Sequence, residues 1–188
     1  MRQVMPLISQ SKFCLMVPHI QISPLAPNNI ADLNKLVNSA YRGETSKKGW
    51  TTEADLLDGL RTDEQSLMNL IKHPDSIILQ AVDEDDRLVG CVYLQQRQHQ
   101  LYLGMLTVSP DIQAKGIGKQ LLLAAEAYAK EKNCDTVIMT VIDIRHELID
   151  WYKRKGYKKT GENKPFPADP AFGIPKQPLQ FIVLEKKL

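Results

Sequence analysis

Leu106-Thr107-Val108-Ser109-Pro110-Asp111-Ile112-Gln113-Ala114-Lys115-Gly116-Ile117-Gly118-Lys119 is the stretch that decides the fold. Its start is apolar and rich in strand-forming residues, as a strand buried on both faces requires. Ser109-Pro110-Asp111 breaks that strand. Beyond Gly116 and Gly118, the residues Leu121, Ala124, Ala125 and Tyr128 recur at helical spacing. A strand that passes through a glycine turn into a helix exposes amides without intrahelical acceptors, and these carry partial positive charge. Glycine also lets backbone approach a ligand closely. Such a turn is an anion site, best matched to a phosphate or pyrophosphate, and Lys115 and Lys119 add positive charge beside it. Gly-x-Gly alone is explained equally well by a tight turn that binds nothing.

Three phosphate-binding patterns compete for this turn. A dinucleotide fingerprint needs a third glycine where the chain has Leu121. A Walker A loop needs glycine at 113 and a hydroxyl at 120, where the chain has Gln113 and Gln120. The third pattern, Gln/Arg-x-x-Gly-x-Gly/Ala, is met in full by Gln113-Ala114-Lys115-Gly116-Ile117-Gly118. This segment resembles the acyl-CoA motif of the GNAT acetyltransferases. The preceding Leu106, Val108 and Pro110 are similar to that family's fourth strand. Trp151-Tyr152-Lys153-Arg154-Lys155-Gly156-Tyr157 resembles its Tyr-x-x-x-Gly-Phe/Tyr helix end. Residues 20–188 follow the family plan.

The resemblance implies an α/β (α+β) fold, with a mixed β-sheet flanked by helices and splayed open between the strands near Leu106 and Val137. It implies acetyl-CoA as cosubstrate and no metal. The pantetheine arm would be bonded to backbone at Leu106, Thr107 and Val108. The pyrophosphate would lie on the amides of Gln113, Ala114, Lys115, Gly116, Ile117, Gly118 and Lys119. The implied reaction is direct attack by an amine within a ternary complex. Tyr152 matches the family tyrosine that protonates the departing thiolate, because a phenol keeps its proton at neutral pH. Leu148 lies one turn back on the same face, so a core aromatic is the competing explanation.

A general base is missing from the expected place. Many family members carry a Glu where this chain has Gly104. A base through water, or one of Glu44, Glu53 and Asp55 in the N-terminal helical region, remains open. Arg145, His146 and Glu147 open the last long helix and face either the CoA arm or the acceptor. His146-Glu147-x-x-Asp150 lacks the second histidine of a zinc motif. A non-catalytic acyl-CoA-binding module and an acyl chain other than acetyl are the alternatives. The acids Glu53, Asp55 and Asp58 would attract a cationic amine or simply form a solvated helix face.

Working outward, a first strand is expected over 20–25. A helix capped by Asn28 or Asn29 follows, carrying Ile30, Leu33, Val37 and Ala40. Residues 41–50 look like a polar loop. Thr52 opens a further helical stretch, and Thr62 with Gln65 has capping-box spacing. Strands over 76–82, 88–95 and 101–108 form an antiparallel block with an acidic turn at 84–87. Helix 118–132, strand 136–142 and helix 145–155 imply a parallel pair, with Gly156 at the C-cap. Five prolines within 162–178 exclude a central strand or helix interior there. A last strand covers 179–184.

The chain has 188 residues, 43% of them hydrophobic and 24% charged, with a net charge of +2. One domain over 19–188 is expected, preceded by an arm over 1–18, with organised sequence beginning just after Met16. The small net charge argues against nucleic acid, and no apolar run reaches the ~20 residues that span a membrane. Cys14, Cys91 and Cys134 are odd in number and far apart. They suggest reduced thiols and a cytoplasmic protein. The expected partner is a small-molecule or peptide amine, and a homodimer is left open.

Overall fold

The computed structural model describes residues 20–113 and 115–188. The arm over 1–18, Cys14 and Ala114 lie outside the described residues. The chain begins with β1 (Gln21–Pro24), α1 (Ile30–Tyr41) and α2 (Gly43–Ser46), then β2 (Leu57–Asp58) and α3 (Glu64–Lys72). Strands β3 (Ser76–Val82), β4 (Leu88–Arg97) and β5 (Gln100–Val108) follow. The second half runs α4 (Ile117–Glu131), β6 (Thr136–Ile142), α5 (His146–Arg154), β7 (Lys158–Pro165), β8 (Ile174–Pro175) and β9 (Gln180–Lys187). Seven strands form one mixed sheet in the order β1-β3-β4-β5-β6-β9-β7, while β2 and β8 make a separate ribbon. Only β5 and β6 pair in parallel. No helix among the described residues is long and apolar enough to cross a membrane.

Alternation along the strands divides the core in two. On one face, Leu79, Ala81, Val92, Leu94, Leu101 and Leu103 pack with Ile117, Leu121 and Ala125 of α4 and with Ile149 and Tyr152 of α5. On the other, Ile78, Cys91 and Tyr93 meet Leu33, Val37, Ala40 and Tyr41 of α1 and Leu67 of α3. Leu33, Leu67 and Leu121 are fully buried; each such side chain contributes about 1.5–3 kcal/mol. Tyr157, just past α5, donates a hydrogen bond to Glu126 of α4 at 3.2 Å, and Lys186 of β9 holds the same carboxylate at 2.8 Å. That network fixes α4 and the end of α5 to the far half of the sheet.

The register shifts at three places among the described strands, between Ala81 and Val82, between Cys91 and Tyr93 and between Lys159 and Asn163, and the second shift shapes the site. Cys91 pairs with Thr107 but Tyr93 pairs with Gly104, so β5 carries one residue more than β4 between those pairs. Within this β-bulge Met105 has φ +50°. Before it, Leu101 and Leu103 face α4; after it, Leu106 and Val108 do, while Tyr102 and Met105 face α1. A bulge bends its strand and re-aims its side chains. Beside it, β5 pairs with β6 only from Gln100–Thr136 to Tyr102–Ile138. Past that point the strands part, which is the expected splay.

Several local expectations need correction. Asn29 precedes α1 without a side-chain cap, because its carboxamide donates instead to Gln80 Oε1 of β3 at 2.9 Å. The segment 41–50 is not simply a loop: Tyr41 completes α1 and is buried, and α2 follows. Thr52 opens no helix. Its hydroxyl bonds Ser46 Oγ and accepts from the Ala54 N–H, a local competitor to helical bonding. Leu57 and Asp58 then pair with β8. The cap of α3 is Asp63, whose carboxylate accepts from the Ser66 N–H at 2.6 Å, not Thr62. The proline-rich segment does begin within a strand, but β7 is at the sheet edge, where proline is tolerated.

Candidate active site

Two cavities meet at the opening between β5 and β6. The first, of about 340 Å³, is floored by Leu106 and Val108 of β5. Gly116, Ile117, Gly118 and Lys119 form one end of it, and Leu148, Trp151, Tyr152 and Lys155 of α5 form a wall. Trp50 and Thr51 cover it from the loop after α2. The helix α4 starts at Gly116, which has φ +81° and no side-chain cap. A residue with a Cβ would be strained there, although a Cβ at 116 would meet nothing within 4 Å. The first amides of α4 are therefore open to the cavity, beside Lys119.

The sequence-derived residues do not all face this cavity alike. Leu106, Val108, Gln113, Gly116, Ile117, Gly118, Lys119 and Tyr152 border it. Ile117 buries its side chain in the core and can offer only backbone. Thr107 is fully buried on the far face, with its hydroxyl donating to Met105 O at 3.0 Å, so it too has only backbone to offer. Lys115 is exposed outside the lining, and Ala114 is outside the described residues. Past Tyr102, β5 has no pairing on the β6 side, which leaves that strand edge open at Leu106 and Val108.

The side chain of Gln113 reaches across to the loop after α2. Its Oε1 accepts from the Trp50 N–H at 3.0 Å, and its Nε2 donates to Thr51 Oγ1 at 2.9 Å and to Val108 O at 3.2 Å. The side chain thus ties a strap over the cavity. Trp50 also accepts at its carbonyl from Arg145 Nη2 at 3.1 Å, and its ring lies 6.0 Å from that of Trp151.

The second cavity, of about 170 Å³, lies deeper in the splay. Tyr41, Leu106, Leu148 and Tyr152 border both cavities. Tyr41 donates to Leu106 O at 2.7 Å. Burial, and after it the negative charge of Glu53, pushes the Tyr41 phenol up to about 12. Tyr152 packs edge-on against Trp151 and Tyr157. Burial raises its pKa well above the ordinary phenol value, with neighbouring Tyr41 adding and Arg145 opposing. Tyr152 is thus packed as a core aromatic and also borders both cavities.

Of the acids considered from sequence, Glu53 alone borders the second cavity. Arg42 grips its Oε2 in a close ion pair, and Arg145 Nη1 stands 3.7 Å from Oε1. Glu44 is exposed and pairs with Lys47. Both Glu44 and Asp55 line a separate open hollow of about 580 Å³. Gly104 borders the second cavity, but the neighbouring Tyr102 ring occupies its space: a Cβ at 104 would be 3.1 Å from Tyr102 Cε1. The Tyr102 hydroxyl spans the splay to Thr140 Oγ1 at 3.1 Å. His146 and Glu147 border neither cavity.

Sequence reasoning missed Trp50, Thr51, Trp151, Lys155 and Tyr41 as lining residues, and Arg61 in the second cavity. Trp151 sat within the quoted motif, next to Tyr152. Lys155 sat in the same motif; for Tyr41, Trp50, Thr51 and Arg61 the sequence held no signal, because they come from segments far from it in the chain.

A family model described as the acetyltransferase (GNAT) family matches residues 31–157. Human N-acetyltransferase 8B is 24% identical over 124 residues, covering 63% of this chain and 54% of that protein. The chain thus spans about half the length of the curated relative it matches. The fold is similar to that of the ribosomal-protein-S18-alanine N-acetyltransferase of Escherichia coli, with a TM-score of 0.68, 13% identity, and coverage of 90% of this chain and 94% of that one. It is also similar to the PaiA N-acetyltransferase of Thermoplasma acidophilum in complex with coenzyme A. There the TM-score is 0.65, the identity 21%, and the coverage 90% of this chain and 99% of that one.

Proposed function

Because the chain belongs to the GNAT acetyltransferase family, we propose that it transfers an acetyl group from acetyl-CoA to an amine held in the second cavity. The observation that carries this is the position of Tyr152, which borders both cavities at their junction. The residues present suit an acyl-CoA. Open amides at the start of α4, with Gly116 and Gly118 bearing no side chains and Lys119 beside them, suit a pyrophosphate. The apolar channel between Val108, Leu106 and Trp151 suits a pantetheine arm, which the unpaired edge of β5 can hydrogen-bond. When bound, acetyl-CoA supplies a thioester already activated toward amines.

The chain's own groups then have distinct tasks. Tyr152 holds its proton at the cavity junction and donates it to a sulfur that leaves as thiolate. Burial keeps that proton in place at neutral pH. Tyr41 fixes the carbonyl of Leu106 and so the line of β5. The strap of Trp50 and Thr51, tied by Gln113, shields the first cavity from water. Glu53 is the carboxylate that faces the amine, as the only acid lining the second cavity among the described residues.

The test combines binding with turnover. Coenzyme A should raise the unfolding temperature, and dephosphorylated pantetheine should do so far less. A ligand at ~100 times its dissociation constant adds about 2.7 kcal/mol to the native state. Acetyl-CoA with a panel of amines should then release free thiol. Stabilisation by coenzyme A without thiol release from any amine would leave an acyl-CoA-binding module in place of an enzyme. Equal shifts from both compounds would remove the pyrophosphate site.

A further inference from the structure

The second cavity is not balanced in charge. Two guanidiniums, those of Arg61 and Arg145, line it with a single carboxylate, Glu53, which is already paired with a third guanidinium, that of Arg42, outside the lining. Arg42 takes Glu53 Oε2. Arg145 is 7% exposed and borders the cavity, yet its buried Nη1 makes no hydrogen bond. Glu53 Oε1, at 3.7 Å, is too far to accept one. Arg61 also borders the cavity, stacked 5.5 Å from the centre of the Tyr41 ring, and has no carboxylate partner among the described residues.

A buried charged donor without an acceptor is costly, and native proteins rarely leave one so. Burying positive charge in excess costs more. A ligand anion would satisfy both guanidiniums. The same cavity holds Glu53, whose Oε1 has Arg145 Nη1 at 3.7 Å, beyond hydrogen-bond reach, and suits an ammonium group. A cation site and an anion site within about 170 Å³ match the two ends of one small molecule.

Resting on the acetyltransferase function proposed above, we infer that the acceptor is a free amino acid, whose carboxylate is received by Arg145 and Arg61 and whose amine is directed by Glu53 toward the cavity junction. The bond formed is N–C to the acetyl carbon and the bond broken is C–S. The ammonium gives up one proton to solvent before attack and a second as the amide forms; the sulfur takes the Tyr152 proton, and Tyr152 is reprotonated from solvent. Arg61 and Arg145 are specificity-determining residues in this scheme. The aromatic walls, Tyr102, Phe172 and Phe181, face the remaining volume and suit an apolar side chain.

The experiment compares three acceptors with the same side chain: phenylalanine, phenylalaninamide and phenethylamine. Thiol release from acetyl-CoA gives kcat/KM for each, and coenzyme A stabilisation is measured in parallel. Phenylalanine should exceed both others by at least tenfold. Arg61→Met should lower kcat/KM for phenylalanine far more than for the two acceptors that lack a carboxylate, and so remove most of that preference. Arg145→Lys serves as the second variant, because Arg145 also holds the Trp50 carbonyl; it should weaken the preference by a smaller factor. Equal or faster turnover of the amide or the amine, or a preference that survives Arg61→Met, overturns the carboxylate site and keeps the acetyltransferase. Coenzyme A binding with no turnover of any amine overturns both.

Discussion

The side-chain carbonyl of Gln113 accepts a hydrogen bond from the backbone N–H of Trp50 at 3.0 Å, so the glycine turn before α4 and the loop after α2 are joined across the first cavity. The residue that the acyl-CoA motif begins with is thus a clasp on its own cover. Gly49 adjoins it closely enough that a Cβ there would stand 2.8 Å from Gln113 Nε2.

Gln113→Leu should free the strap. It removes an acceptor for Trp50 and donors to Thr51 and Val108. A net protein hydrogen bond is worth about 0.5–1.5 kcal/mol, so stability should fall by about 1–3 kcal/mol and coenzyme A affinity by roughly tenfold. Denaturant unfolding and calorimetric titration measure the two. Unchanged affinity in the variant would mean that the strap does not contribute to the cofactor site.

Gly116 and Gly118 should respond differently to substitution. Gly116→Ala meets no neighbour but must hold φ +81°, a left-handed conformation that costs an L-residue about 1–2 kcal/mol. Gly118→Ala makes ordinary contact with Val108 at 3.6 Å and should fold normally. Gly118→Glu should fold too but lose coenzyme A, because its carboxylate would extend toward the amides proposed above to receive phosphate. Thermal shifts with and without coenzyme A separate the three outcomes; a normal shift in Gly118→Glu would make the turn purely structural.

Tyr152→Phe should lower kcat more than it raises KM for acetyl-CoA. The ring keeps its packing against Trp151 and Tyr157, so fold and binding persist. What disappears is a proton needed only as sulfur becomes charged, an interaction stronger in the transition state than in the ground state. General acids contribute about 10²–10⁴-fold, and a thiolate is already a fair leaving group, so about 10²-fold or less is expected. Steady-state kinetics with circular dichroism as a folding control decide it. Turnover equal to the parent in a folded variant, with chemistry limiting, would return Tyr152 to the core.

Stability should decline in alkali. Unfolded tyrosines ionise near ~10, whereas burial holds the Tyr41 proton up to about 12 in the native state. Between those values the unfolded chain binds fewer protons than the native one, so stability falls as pH rises. The contribution is fully present below pH ~10, and on the order of 2–3 kcal/mol of it is lost by pH ~12. Tyr41→Phe should flatten this part of the pH profile, measured by denaturant unfolding. A slope equal to the parent's would assign the alkaline loss to other groups.

What was legible in the sequence was local or periodic. The run from β5 through the glycines into α4 carries its own strand residues, break and helical stripe, so its geometry could be stated in advance. The splay also followed once the motif was recognised. What stayed hidden depends on partners remote in sequence. Asn29 has the side chain of a helix cap, but Gln80 claims it. The Arg42–Glu53–Arg145 cluster joins residues from three parts of the chain. Thr62 competed with Asp63 for the cap of α3 and lost, since the carboxylate meets the Ser66 amide at 2.6 Å. Nothing in Leu103-Gly104-Met105-Leu106 announces that Met105 takes a left-handed backbone. Gly104 was recognised as a departure from the family pattern, but the tyrosine ring filling that space appears only when Tyr102 and Gly104 share a face.

The extra residue of β5 works as a frameshift written into the fold. Every side chain from Leu106 onward faces the direction it does because Met105 has been counted once without a partner. Excising Met105 alone would leave composition and hydrophobicity nearly intact, yet it would put the outward set of the strand's last turn inward and the inward set outward. The site therefore tolerates many exchanges of one residue for another near 105 more readily than a change in their number. A graft of this strand onto another sheet must carry the miscount with it.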